Sequence, residues 1–124
     1  MTEDAIIDFV SRSFRSVWPV ELLSLLSQEP HSAWQIEALA RQLRATKPVV
    51  TQGLTALAAM GFVAVTEDQA YQLRPASPEL AELARELSSL YNRKPRAVLR
   101  AIYAAPSDRI QTFADAFRLR KDTC

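Results

Sequence analysis

Between Thr46 and Gly61 the chain carries both end signals of one helix, with an aliphatic stripe between them. Thr46 suits the N-cap position, where a side-chain oxygen satisfies a backbone N–H that has no intrahelical partner. Pro48 falls in the first turn, where no helical donor is lost. Val50, Leu54 and Leu57 then recur at the spacing of one buried helix face. Gly61 supplies the left-handed conformation that commonly closes a helix. A helix defined in this way needs aliphatic partners on one side and leaves Lys47, Thr51, Gln52 and Thr55 on the other.

The flanking segments predict those partners. Ile36, Leu39, Ala40 and Leu43 mark a short amphipathic helix of about ten residues, joined to the first by the turn Arg44-Ala45-Thr46. Before it, Ile6, Val10 and Phe14 predict a helix over 3–15. Ser16 reads as the cap of a second helix, with Pro19 in its first turn and an end near Gln28. After Gly61 the period changes. Phe62–Thr66 and Tyr71–Arg74 are β-prone and flank the polar turn Glu67-Asp68-Gln69-Ala70, which predicts a hairpin. Ser77-Pro78-Glu79 then starts another helix. Its Leu80, Leu83, Leu87 and Leu90 form a coiled-coil-like seam that fits either internal packing or, in the favoured reading, a dimer interface. Pro95 starts a further helix containing Val98, Leu99, Ile102 and Tyr103, and Ile110, Phe113, Ala114 and Phe117 predict a last one. The expected architecture is mainly α with one small β-hairpin.

Composition narrows the chemistry. The chain has 124 residues, enough for one domain, and only 2 glycines, which favours helix over sheet. His31 is the single histidine and Cys124 the single cysteine. Neither an intrachain disulfide nor a usual zinc ligand set can be assembled from them. No Gly-rich phosphate loop or poised acid–base pair is present, so no cofactor, metal or enzymatic activity is expected. The acidic start Met1-Thr2-Glu3-Asp4 is unlike a secretory signal, and no apolar run spans a bilayer. A cytoplasmic protein without membrane contact is expected. His31 reads as an exposed loop residue, and Trp18 and Trp34 as core anchors.

Net charge is only +1, but it is unevenly distributed. Residues 31–61 set Arg41, Arg44 and Lys47 against Glu37, and the last third is also basic, beginning with Arg93, Lys94, Arg96 and Arg100.

The order helix, short helix, tight turn, helix, glycine, hairpin resembles the winged helix-turn-helix of bacterial transcriptional regulators, in particular the MarR-like group. The likeness is carried by Ile36-Glu37-Ala38-Leu39-Ala40-Arg41-Gln42-Leu43, by Thr46-Lys47-Pro48-Val49-Val50-Thr51-Gln52-Gly53-Leu54-Thr55-Ala56-Leu57, and by Met60-Gly61-Phe62-Val63. It implies a single domain over 1–124, with a winged core over 17–75. Flanking helices over 1–15 and 77–124 would serve dimerisation. It further implies a cytoplasmic homodimer that binds double-stranded DNA, with two recognition helices about 34 Å apart on successive major-groove turns.

Physical chemistry suits the outward residues to that task. Gln52 can read adenine through two hydrogen bonds, and Thr51 and Thr55 can donate, accept or touch a thymine methyl. Arg41, Arg44, Thr46 and Lys47 stand where phosphates pass, and Gln69 in the hairpin turn completes the candidate set. The cluster Arg93, Lys94, Arg96 and Arg100 has three readings: a solvated helix start, a second phosphate site, or a partner for Glu79, Glu82 or Glu86 of another subunit. Two features favour a different function, a protein-interaction module that modulates another regulatory protein. The face of the central helix has one cation, and the hairpin turn, with Glu67 and Asp68, repels phosphate.

Overall fold

The computed structural model describes residues 1–103. The expected last helix and Cys124 lie outside the described residues. Within them the protein is mainly helical with one two-stranded antiparallel hairpin. The elements are α1 (Glu3–Ser13), α2 (Trp18–Gln28), α3 (Ile36–Leu43), α4 (Lys47–Met60), β1 (Val63–Val65), β2 (Tyr71–Leu73) and α5 (Pro78–Arg93). A further helix, α6, is described over 95–103.

The start signals act as their chemistry predicts in three helices. The Thr2 and Ser77 hydroxyl oxygens accept from Ala5 and Leu80 N–H, each at 3.1 Å, and the Thr46 oxygen accepts from Val49 N–H at 3.4 Å. At α2 the expected cap is displaced. Val17, not Ser16, takes the N-cap position, and no side chain bonds there. Pro19 stands at the second helical position and has no N–H to offer a capping oxygen. The Val17 N–H instead donates to the Tyr103 hydroxyl at 3.1 Å.

The core is one cluster running from Ile6 of α1 to Ile102 of α6. Its centre is α2, whose Leu22, Leu23 and Leu26 are fully buried between α4 and α5. Val50, Leu54 and Leu57 face inward from α4 as their spacing requires. Gly53 permits that contact, because a Cβ there would stand 2.6 Å from Leu22 Cδ1.

The favoured reading of the α5 seam is corrected. Leu87 and Leu90 are both 0 % exposed and join the core, and Leu80 and Leu83 pack against it half-buried. α5 packs along α2 of the same chain, and Leu80 stands against Gly61 at the end of α4. Ser88 reinforces the contact by donating to Ser27 Oγ at 3.1 Å, and the Tyr91 hydroxyl donates to Glu21. Burial, then the hydrogen bond and charge of Glu21, push the Tyr91 phenol far above its usual pKa. The spacing of three and four serves any helix packed along one stripe, so it did not separate these two readings.

β1 pairs with β2 in the register Val63 to Leu73, Ala64 to Gln72 and Val65 to Tyr71. The turn is closed by Thr66 and Ala70, with Thr66 N–H donating to the Ala70 carbonyl at 2.7 Å. On its other edge β2 meets Trp34, which exchanges two backbone hydrogen bonds with Tyr71 at 2.8 and 2.7 Å. That single bridge lays the segment before α3 beside the hairpin.

Candidate nucleic-acid interface

The α3–α4 corner is built by a reversal of the chain at Arg44. Arg44 adopts φ 55°, ψ 44°, and its N–H bonds back to the last turn of α3. The left-handed region is uncommon for a side chain other than Gly, Asn or Asp. Here it ends α3 one residue before Ala45 packs on the core, and it leaves Thr46 extended and able to cap α4.

α4 then presents the expected surface. Arg41, Arg44, Thr46, Lys47, Thr51, Gln52 and Thr55 are all exposed. Thr51, Gln52 and Thr55 share the side opposite Val50, Leu54 and Leu57. Thr55 donates its hydroxyl hydrogen to the Thr51 carbonyl at 2.8 Å, so its oxygen stays available as an acceptor. The Gln52 side chain forms no hydrogen bond among the described residues and lines a cleft of about 330 Å³ with Trp18, Val49 and Gly53.

Two features of this corner escaped the sequence. Arg15, at the turn between α1 and α2, lines the same cleft as Gln52 and adds a cation to the edge of the α4 face. Lys47 is paired: its ammonium lies 3.1 Å from the Glu37 carboxylate of α3, with both side chains more than half exposed. A hydrogen bond from its own backbone N–H, then the hydrogen bond and charge of Lys47, hold the Glu37 carboxyl below its usual range, and Arg41 adds to the effect. Glu37 and Lys47 stand ten positions apart on two different helices, a spacing that no single helical period joins. Only the reversal at Arg44 brings them together.

The hairpin turn stands beside α3. Gln35 Nε2 donates to the Asp68 carbonyl at 3.2 Å. Gln69 is exposed with φ 64°, and Glu67 and Asp68 are exposed next to it. The second basic cluster lies elsewhere, where α5 meets α6. Lys94 bonds Glu3 of α1 at 3.2 Å, and Arg93 donates to Ser89 Oγ at 3.2 Å. Arg96 and Arg100 are exposed, and Arg100 borders a groove with Asp4 and Asp8 of α1. Of the carboxylates considered as partners for this cluster, Glu82 takes the N-terminal ammonium at 3.7 Å.

His31 is exposed, with its carbonyl accepting from Gln72 Nε2 at 3.0 Å. Trp18 and Trp34 are half-buried, and Trp34 packs on the core with its indole N–H enclosed and without a hydrogen-bond partner among the described residues. Among the described residues no cluster of His, Cys, Asp and Glu is placed to hold a metal ion. No described helix is long and apolar enough to cross a membrane. The chain matches no family model, no curated protein and no solved structure in these three comparisons.

Proposed function

We propose that this chain is a winged helix-turn-helix regulator of the MarR-like kind. In this reading it is a cytoplasmic, non-enzymatic homodimer that binds double-stranded DNA with α4 in the major groove. The observation that carries the reading is the exposed, uncharged hydrogen-bonding edge of α4. Thr51, Gln52 and Thr55 stand outward on a helix whose opposite side is locked into the core. The order of α2, the Trp34 bridge, α3, α4 and the β1–β2 hairpin supports it, because it is the order of a helix-turn-helix followed by a wing. Arg15, Arg41 and Arg44 supply cations for phosphate, and Gln52 supplies the base contact.

The test is a fluorescence anisotropy titration against the DNA upstream of the chain's own gene, at two salt concentrations. Binding weakens as salt rises, because phosphate neutralisation releases counterions. Gln52→Ala loses about 1–3 kcal/mol at its cognate base pair while the melting curve stays unchanged. Binding that is absent, or unaffected by salt, overturns the reading.

The neutralised Lys47 and the acidic hairpin turn favour a second reading, a winged-helix module that binds another regulatory protein. Pull-down from a nuclease-treated extract separates the two, because a stoichiometric protein partner survives only under the second.

A further inference from the structure

We propose that Glu37 is a brake on sequence-independent DNA binding: it occupies the Lys47 ammonium at the α3–α4 corner until a duplex displaces it. The inference rests on the DNA-binding reading above and names a residue that sets its specificity.

The geometry is an ion pair with a second cation near it. Glu37 lies in the first turn of α3, Lys47 in the first turn of α4, and their side chains meet across the reversal at 3.1 Å. Arg41 follows Glu37 by four residues on α3, the spacing and order in which an acid and a base support each other on a helix surface. The carboxylate therefore pairs with Lys47 and adds a negative charge near Arg41, and Lys47 lies four residues before Thr51 on the outward face of α4. The pair is solvent-exposed, so it is held weakly and can exchange partners.

Exchange is the consequence that matters. Non-specific affinity comes almost entirely from cations that meet phosphates and release counterions. A lysine already neutralised by its own protein contributes little to that release, and a carboxylate at the interface is repelled by any duplex. Base contacts from Thr51, Gln52 and Thr55 do not depend on this charge. Glu37 thus suppresses the component of binding common to all sequences and leaves the sequence-reading component in place. This is how repulsive elements raise specificity.

The experiment uses the full chain and a random-sequence duplex of about two helical turns, with affinity measured from low to moderate salt. Glu37→Gln keeps the size and hydrogen-bonding reach of the side chain and removes only its charge. It is expected to tighten binding roughly 5–10-fold near 0.1 M salt and to steepen the slope of log affinity against log salt by about one, the value for one added phosphate contact. In a Lys47→Gln background the same substitution is expected to have a clearly smaller effect. A merely structural role for Glu37 leaves the salt slope unmoved. Wild-type binding that is salt-dependent, with an identical slope in Glu37→Gln, overturns the brake and leaves the DNA-binding reading standing. An equal effect with and without Lys47 overturns the exchange with Lys47. If neither protein binds any duplex, both readings fall together.

Discussion

α4 and α5 begin alike and end up doing opposite things. Each starts with a hydroxyl cap and a proline in the first turn, and each buries an aliphatic stripe against α2. The difference lies in where their polar groups find partners. From α5, Ser88 and Tyr91 reach inward to Ser27 and Glu21 of α2. From α4, Thr51, Gln52 and Thr55 reach outward, and the one bond among them runs within the helix. A helix whose polar groups are satisfied inside the molecule is a strut. A helix that leaves them exposed at close spacing has hydrogen bonds to offer something else.

The strongest way to break this contrast is to cut the strut. Leu87 is fully buried, so Leu87→Ala is expected to cost 2–5 kcal/mol, the range for deleting a buried leucine side chain. Urea melts read by circular dichroism check it. They also decide between internal packing and a subunit seam, because internal packing leaves the size of the loss independent of protein concentration. A loss that shrinks as concentration rises places Leu87 between chains and ends the description of α5 as a strut.

Local signals were legible because local chemistry sets them. Thr46 and Ser77 cap their helices, Gly61 takes φ 88°, and Val50, Leu54 and Leu57 face the core. Each depends on neighbours within one or two turns. What could not be read depends on partners far along the chain. The α5 leucines look the same whether α2 of the same chain or a second copy covers them. Glu37 meets Lys47 only because Arg44 adopts a conformation that its side chain disfavours. Trp34 bonds Tyr71 from an extended stretch with no strand pattern of its own. For the candidate site, the exposed residues of α4 were legible from periodicity, but their electrostatic setting was not.

A smaller effect tests whether the shared start signals matter equally. Thr46→Ala and Ser77→Ala each remove one capping oxygen, and each is expected to cost about 1 kcal/mol. The consequences should differ. Ser77→Ala weakens the strut and lowers the melting temperature alone. Thr46→Ala also loosens the first turn of α4, the turn that leads into Thr51 and Gln52, so it should weaken duplex binding beyond its effect on stability. Measuring both variants for melting and for binding sharpens the contrast. Equal binding losses in the two would show that α4 is not the helix that meets DNA.

The smallest expected effect at neutral pH, none at all, belongs to the titration of Tyr91. Burial and the Glu21 carboxylate hold its proton in the folded state well beyond the usual phenol range, which lies near pH 10. The folded chain therefore binds more protons than the unfolded chain above that value. The stabilisation linked to this proton is fully present below about pH 10 and is lost as pH rises towards the folded pKa. Phenolate absorbance of the native protein should show one of its 3 tyrosines ionising later than the others. Tyr91→Phe should remove that late step and flatten the decline in stability above pH 10. If the late step persists in Tyr91→Phe, the inward bond from α5 to α2 does not hold this proton, and the polar half of the contrast between the two helices fails.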